Sequence, residues 1–96
     1  MRRNYIVTYD ICDPKRLRKV FRTCKGYGNH LQLSVFECDL SPSERTVFES
    51  ELTAIIKHDE DQVIFVDLGP VEARGERIIS SVGKQYTRFD EPCYIA

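Results

Sequence analysis

Most of the features that announce a function in a short chain are missing from this one. No apolar stretch reaches the roughly 20 residues that a helix needs to cross a bilayer, and no charged-then-apolar leader opens the chain. The expectation is a cytoplasmic protein with no membrane partner. There is no Gly-rich loop of the kind that cradles nucleotide phosphates, no His-Cys cluster and no Ser-His-Asp spacing, so nothing suggests an organic cofactor. The four cysteines, Cys12, Cys24, Cys38 and Cys93, form no C-x-x-C pair and stand among apolar neighbours. Buried, reduced thiols are expected in place of a zinc site or a disulfide frame. Internal repeats and low-complexity segments are also lacking, and 96 residues with 42% hydrophobic content suffice for one core. A single domain over residues 1–96 follows.

The formal net charge of -1 conceals an asymmetry. Met1 to Gly28 carry eight Lys/Arg against two Asp, whereas the remainder carries six against thirteen acidic groups. Cations gathered in one place suit a polyanion, because phosphate binding depends on local charge more than on overall pI.

Apolar periodicity places the elements. Asn4 to Ile11 reads as a strand covered on both faces, with Tyr5, Val7 and Tyr9 on one side and Ile6 and Thr8 on the other. Asp13-Pro14 provides an N-cap and a proline at the first helical position, and Leu17, Val20, Phe21 and Cys24 then fall at helical spacing. That helix runs to about Lys25 and shows Lys15, Arg18, Lys19, Arg22 and Lys25 on its opposite side before "GYG" stops it. His30 to Leu40 reads as one β segment. "SPSE" at Ser41 to Glu44 holds both halves of a capping box and opens a second helix, whose apolar stripe is Val47, Phe48, Leu52, Ile55 and Ile56. The polar stretch Lys57 to Asp61 ends it, and Gln62 to Gly69 is a strand. Beyond it "ERIISSVG" is β-leaning, "KQYTRFDEP" reads as a loop, and "CYIA" is a short apolar tail that could form one last strand.

Strands interleaved with two helices imply an α+β two-layer sandwich, a mostly antiparallel sheet with both helices on one face. The other face then needs a cover, since Ile6, Ile64 and Val66 make it apolar too. A symmetric dimer, sheet against sheet, would supply one, with the C-terminal segment from about residue 84 to 96 pairing with the partner's sheet; a monomer with some exposed aromatics is the alternative.

The segments "YDICDPKRLRKVF", "KGYG", "LQLSVFECDL" and "VIFVDLG" stand in the order and spacing of the small CRISPR-associated adaptation endonucleases, which this chain resembles from about Asn4 to Gly83. The resemblance implies a ferredoxin-like sandwich, a homodimer, and a partnership with the larger adaptation integrase in capturing DNA spacers. A ferredoxin-like order needs two strands between the helices. Either His30 to Leu40 bends near Ser34 or the topology is a variant.

The resemblance carries the family's catalytic aspartate to Asp10, at the end of the first strand and on the parity opposite to Tyr9. Asp13 already fills the capping role, which leaves Asp10 as the spare acid. Mg²⁺ is commonly held by one or two carboxylates plus substrate phosphate, so an Asp10 pair across a two-fold axis would suit Mg²⁺ or Mn²⁺. Arg16 and Arg18, in the first turns after Asp10, are candidate phosphate grips, and Lys19, Arg22 and Lys25 would supply general attraction along the helix. The family places Ser34 and Phe36 near the active region; a backbone hydrogen bond and a core position are the ordinary readings of each. Tyr9 either orients a phosphate through its hydroxyl or packs in the dimer seam. His30 stands where many relatives carry arginine, which exchanges a permanent charge for one mostly neutral at pH 7 and leaves a pH-dependent contact, an acid/base role or an ordinary surface histidine. His58 reads as solvent-facing.

Three functions fit: a metal-dependent nuclease acting on RNA or DNA in spacer acquisition, a non-catalytic scaffold that binds duplex DNA and bridges integrase subunits, and a toxin-type ribonuclease of similar shape. Phosphate contacts do not distinguish RNA from DNA.

Overall fold

A computed structural model of the chain describes residues 1–73 and 79–83. The elements run β1 (Arg3–Asp10), α1 (Pro14–Lys25), β2 (Gly28–Gln32), β3 (Val35–Leu40), α2 (Pro42–Ile55) and β4 (Gln62–Pro70), followed by a short 3-10 turn, Val71–Ala73. The sheet order is β2-β3-β1-β4 and every pairing is antiparallel. This βαββαβ succession is the ferredoxin-like sandwich.

His30 to Leu40 is therefore not one strand but the greater part of a hairpin, with Leu33 and Ser34 at its turn. Tight hairpins are usually signalled by Asn-Gly or Asp-Gly, because their turns need positive φ. Here the register shifts between His30 and Gln32, and no non-glycine residue among those described has positive φ. A bulge supplies the local twist that the turn residues do not, so the sequence carries no turn signal. The His30 ring reinforces the turn, its Nε2 lying 3.1 Å from the Leu33 carbonyl oxygen.

Both helices start as their sequence dictates. Asp13 accepts the Arg16 N–H at 2.9 Å and Pro14 opens α1. Ser41 and Glu44 close a reciprocal capping box ahead of α2. Val20, Phe21 and Cys24 of α1 and Phe48 and Leu52 of α2 meet Tyr5, Val7, Tyr9, Phe36, Cys38 and Leu40 of the sheet in one core. Each large side chain buried there contributes about 1.5–3 kcal/mol. Tyr27 stacks on Phe48 at 4.3 Å and its hydroxyl donates to Glu51.

Several expectations change. Val47 is half exposed and leaves the α2 stripe to Phe48, Leu52, Ile55 and Ile56, because it lies just before Phe48 and turns off the buried face. The β-leaning stretch from Glu76 to Gly83 is not a strand in its described part, residues 79–83, where Val82 is fully exposed. β propensity counts only on a paired, half-buried surface. Cys24 and Cys38 are buried free thiols, and burial pushes both up to about 12. Cys12 is exposed instead of buried, in the β1–α1 connection, with its Sγ 2.9 Å from the Glu60 carbonyl oxygen. The loop expected from Lys84, the tail Cys93 to Ala96 and its expected pairing with a partner lie outside the described residues. Among the described residues no helix is long and apolar enough to cross a membrane.

Gly28 opens β2 where the strand presses on β3. A Cβ there would strike Cys38 Sγ and come within 2.5 Å of the Glu37 carbonyl oxygen, which the ladder holds in place. Gly28→Ala should lower stability by about 1–3 kcal/mol, as overpacking does. Thermal or urea unfolding checks it, and an unchanged midpoint would mean that β2 moves aside at no cost.

Candidate functional site

The two-residue period of a strand sorts β1 into two roles. Tyr5, Val7 and Tyr9 enter the core, while Ile6, Thr8 and Asp10 share the outer face with Val66, Ile64 and Gln62, their partners on β4. Ile64 and Val66 are more than two-fifths exposed, so among the described residues no layer covers the helix-free face of the sheet, an apolar surface with a carboxylate at one corner.

Asp10 is exposed at the end of β1 and faces Gln62 across the ladder. Among the described residues no hydrogen bond or ion pair takes up its carboxylate, whereas Asp13 is committed to the α1 cap. Tyr9 donates its N–H to the Ser34 carbonyl oxygen at 3.2 Å, which brings the β2–β3 turn beside the strand end that carries Asp10. The Tyr9 ring points the other way and stacks on Phe36 in the core at 6.3 Å, not in an outer-face seam. Phe36 is fully buried and meets Tyr9 from the core side of the sheet. His30 is not a surface residue: it is 5% exposed, stacked on Phe36 at 4.8 Å and edge-on to Phe21 at 5.0 Å. Pairing of His30 with Phe36 on the inward parity of β2 and β3 decides this. His58 is exposed.

The basic residues divide. Lys15, Arg18, Lys19 and Arg22 are exposed along α1, and among the described residues no carboxylate pairs with Arg18, Lys19 or Arg22. Lys25 is exposed too, its ammonium 5.9 Å from the Phe21 ring centre. Arg16 is drawn away from that row. Its Nε lies 2.7 Å from Asp61 Oδ2, and its Nη2 lies 3.2 Å from both Asp61 Oδ1 and Glu60 Oε1. Asp61 is wholly buried at its side chain and also accepts the N–H groups of Cys12 at 3.0 Å and Lys57 at 2.8 Å. These donors, with Arg16 foremost, hold its carboxyl well below the usual carboxylate range.

Asp61 escaped the sequence reading, which placed Lys57 to Asp61 in a polar loop. Its partner Arg16 is 45 positions away, and no local pattern couples them. Among the described residues no group of three or more His, Cys, Asp or Glu is placed to hold a metal ion.

Fold and corner together define a small ferredoxin-like protein with an open strand-end carboxylate at the foot of a basic helix. The family model of CRISPR associated protein Cas2 matches residues 3–74. The chain is 43% identical over 91 residues to CRISPR-associated endoribonuclease Cas2 1 of Rhodospirillum rubrum, covering 95% of this chain and 88% of that protein. It is also 43% identical over 82 residues to CRISPR-associated endoribonuclease Cas2 of Geobacter sulfurreducens, with 85% of each chain covered. The crystal structure of Streptococcus pyogenes Cas2 superposes with a TM-score of 0.66 at 36% identity, over 80% of this chain and 99% of that one. The chain belongs to the CRISPR-associated Cas2 family.

Because the folded Asp61 carboxyl titrates below its unfolded value, its stabilisation is complete above about pH 4 and is lost as pH falls toward the folded value. Asp61→Asn should melt earlier than wild type at pH 7, and the gap should narrow steadily below about pH 4. Melting curves from pH 7 to pH 2 test this; a gap of constant size would show that the charge of Asp61 contributes nothing.

Proposed function

We infer that this protein is a metal-dependent nuclease of CRISPR adaptation, working as a homodimer on RNA or DNA phosphodiesters. The observation that carries this reading is Asp10: an exposed carboxylate at the end of β1, with no described partner, at the corner of a partly exposed apolar sheet face. The relatives named endoribonucleases support the activity.

Among the described residues one chain offers one exposed carboxylate at that corner, where a small divalent cation commonly takes one or two from protein. A second copy laid on the outer face would cover Ile6, Ile64 and Val66 and supply the second Asp10. The donor set, two carboxylates and otherwise water and phosphate, fits Mg²⁺ or Mn²⁺. Such a cation supplies polarisation of a phosphodiester and activation of water. The chain's own residues do the rest. Asp10 holds the cation, Arg18, Lys19 and Arg22 draw in the phosphates, and Ser34 keeps the strand end in register through its carbonyl. Arg16 is neutralised by Asp61 and Glu60 and leaves the phosphate attraction to that exposed row, while the burial of His30 argues against a direct phosphate contact.

The same exposed row on α1 would serve a scaffold that binds duplex DNA and bridges the adaptation integrase, with hydrolysis dispensable. Asp10→Asn separates the two. Under the nuclease reading it should abolish Mg²⁺- or Mn²⁺-dependent cleavage of labelled RNA or duplex DNA, by about a hundredfold or more, with the dimer intact. Cleavage unchanged in the variant would move the chemistry away from Asp10. No cleavage by either protein, with binding retained, would favour the scaffold.

Arg18→Glu with Arg22→Glu should weaken nucleic-acid binding and flatten the plot of log affinity against log salt by about two phosphate contacts. An unaltered slope would remove α1 from the binding surface.

A further inference from the structure

Asp61 lies next to Gln62, the residue that pairs with Asp10 across the β1–β4 ladder. Its Oδ1 accepts the N–H of Cys12, two residues beyond Asp10. Asp10, Cys12, Asp61 and Gln62 therefore form a closed ring, two arms of it main chain, one the β1–β4 pairing and one a hydrogen bond. The Asp10 main chain is fixed on both sides, by the ladder before the loop and by Asp61 after it. A second tie, from Cys12 Sγ to the Glu60 carbonyl oxygen, holds the same edge.

The ring is braced by Arg16. Two backbone N–H groups already satisfy one lone pair on each Asp61 oxygen, and Arg16 fills the others with a paired contact to both oxygens. This links the first turn of α1 to the α2–β4 connection, so that the elements flanking the strand end cannot slide independently. Fork-to-carboxylate pairing sets direction as well as distance, which a lysine cannot do. A carboxylate that must meet its symmetry mate around one small cation needs such support, since productive geometry tolerates only about 0.5 Å of error.

We propose that Asp61, braced by Arg16, is a positioning residue for Asp10, and that Arg16 acts in the reaction through this ring and not as a phosphate grip. The proposal rests on the nuclease reading of Asp10. The test compares wild type, Asp10→Asn, Asp61→Asn, Arg16→Lys and the double variant Arg16→Lys/Asp61→Asn. Cleavage of labelled RNA and duplex DNA gives kcat and KM, and amide hydrogen exchange follows Cys12.

Asp61→Asn is expected to lower kcat about tenfold or more with KM within about twofold, and to speed exchange at Cys12 by a similar factor. Arg16→Lys is expected to lose less, again in kcat, and the double variant to be no worse than Asp61→Asn, because the two residues act as one unit. Should Asp61→Asn fail to fold, Arg16→Lys alone decides, by a fall in kcat or by its absence. Unchanged kcat alongside faster Cys12 exchange overturns the proposal. So does an Arg16→Lys variant whose KM rises and whose salt slope falls at constant kcat, since that is the behaviour of a phosphate contact. Loss of cleavage in Asp10→Asn with unchanged kcat in Asp61→Asn overturns this proposal alone. Wild-type protein that cleaves neither substrate overturns the nuclease reading and the proposal together.

Discussion

The pleat of β1 is the constraint on which the rest of this molecule hangs. β1 lies inside the sheet, paired on one edge with β3 and on the other with β4, so its register is fixed from both sides. With a period of two, burying Tyr5, Val7 and Tyr9 under the helices forces Ile6, Thr8 and Asp10 onto the opposite face. A slip of one residue would invert every assignment: Asp10 would enter the core and Tyr9 would reach solvent. The core thus holds Asp10 outward with the full energy of its packing, without touching the carboxylate.

What the core cannot do is fix the chain beyond the strand end, where β1 gives way to a short connection before Pro14. That task falls to polar contacts. Asp61 is an anion removed from water, a condition tolerated only because four N–H donors surround it. Arg16 belongs to the basic segment by sequence and to this acid by geometry. The helix that carries the positive row is thereby tied to the strand end at its first turn, and the row extends from there along Arg18, Lys19 and Arg22.

The uncovered sheet face is a third consequence of the same alternation. Hydrophobic residues occupy both parities of β1 and β4, yet the two helices cover one face. Among the described residues the two layers leave Ile64 and Val66 of that face partly in water. A second copy is the simplest cover, and it would carry a second carboxylate to the corner where the first stands.

Local rules were enough for much of this. The N-caps at Asp13 and Ser41, the prolines that follow them, the helical spacing of Leu17, Val20, Phe21 and Cys24, and the two-sided apolar pattern of β1 and β4 are all set within a few residues of chain. Asp10 stood out as an acid at a strand end with the capping position already filled, and the resemblance to the adaptation endonucleases gave it its catalytic meaning. Other features depend on partners remote in sequence, and only the tertiary structure decided them. The hairpin at Leu33 and Ser34 turns by a bulge against β3, without the residues that mark a turn. His30 becomes a core ring because β2 pairs with Phe36, and Val47 loses its place on the buried face. Arg16 leaves the basic row because Asp61, 45 residues on, presents an anion that needs its guanidinium. Periodicity records which face a residue prefers, whereas a pairing across the fold is set by where distant segments meet.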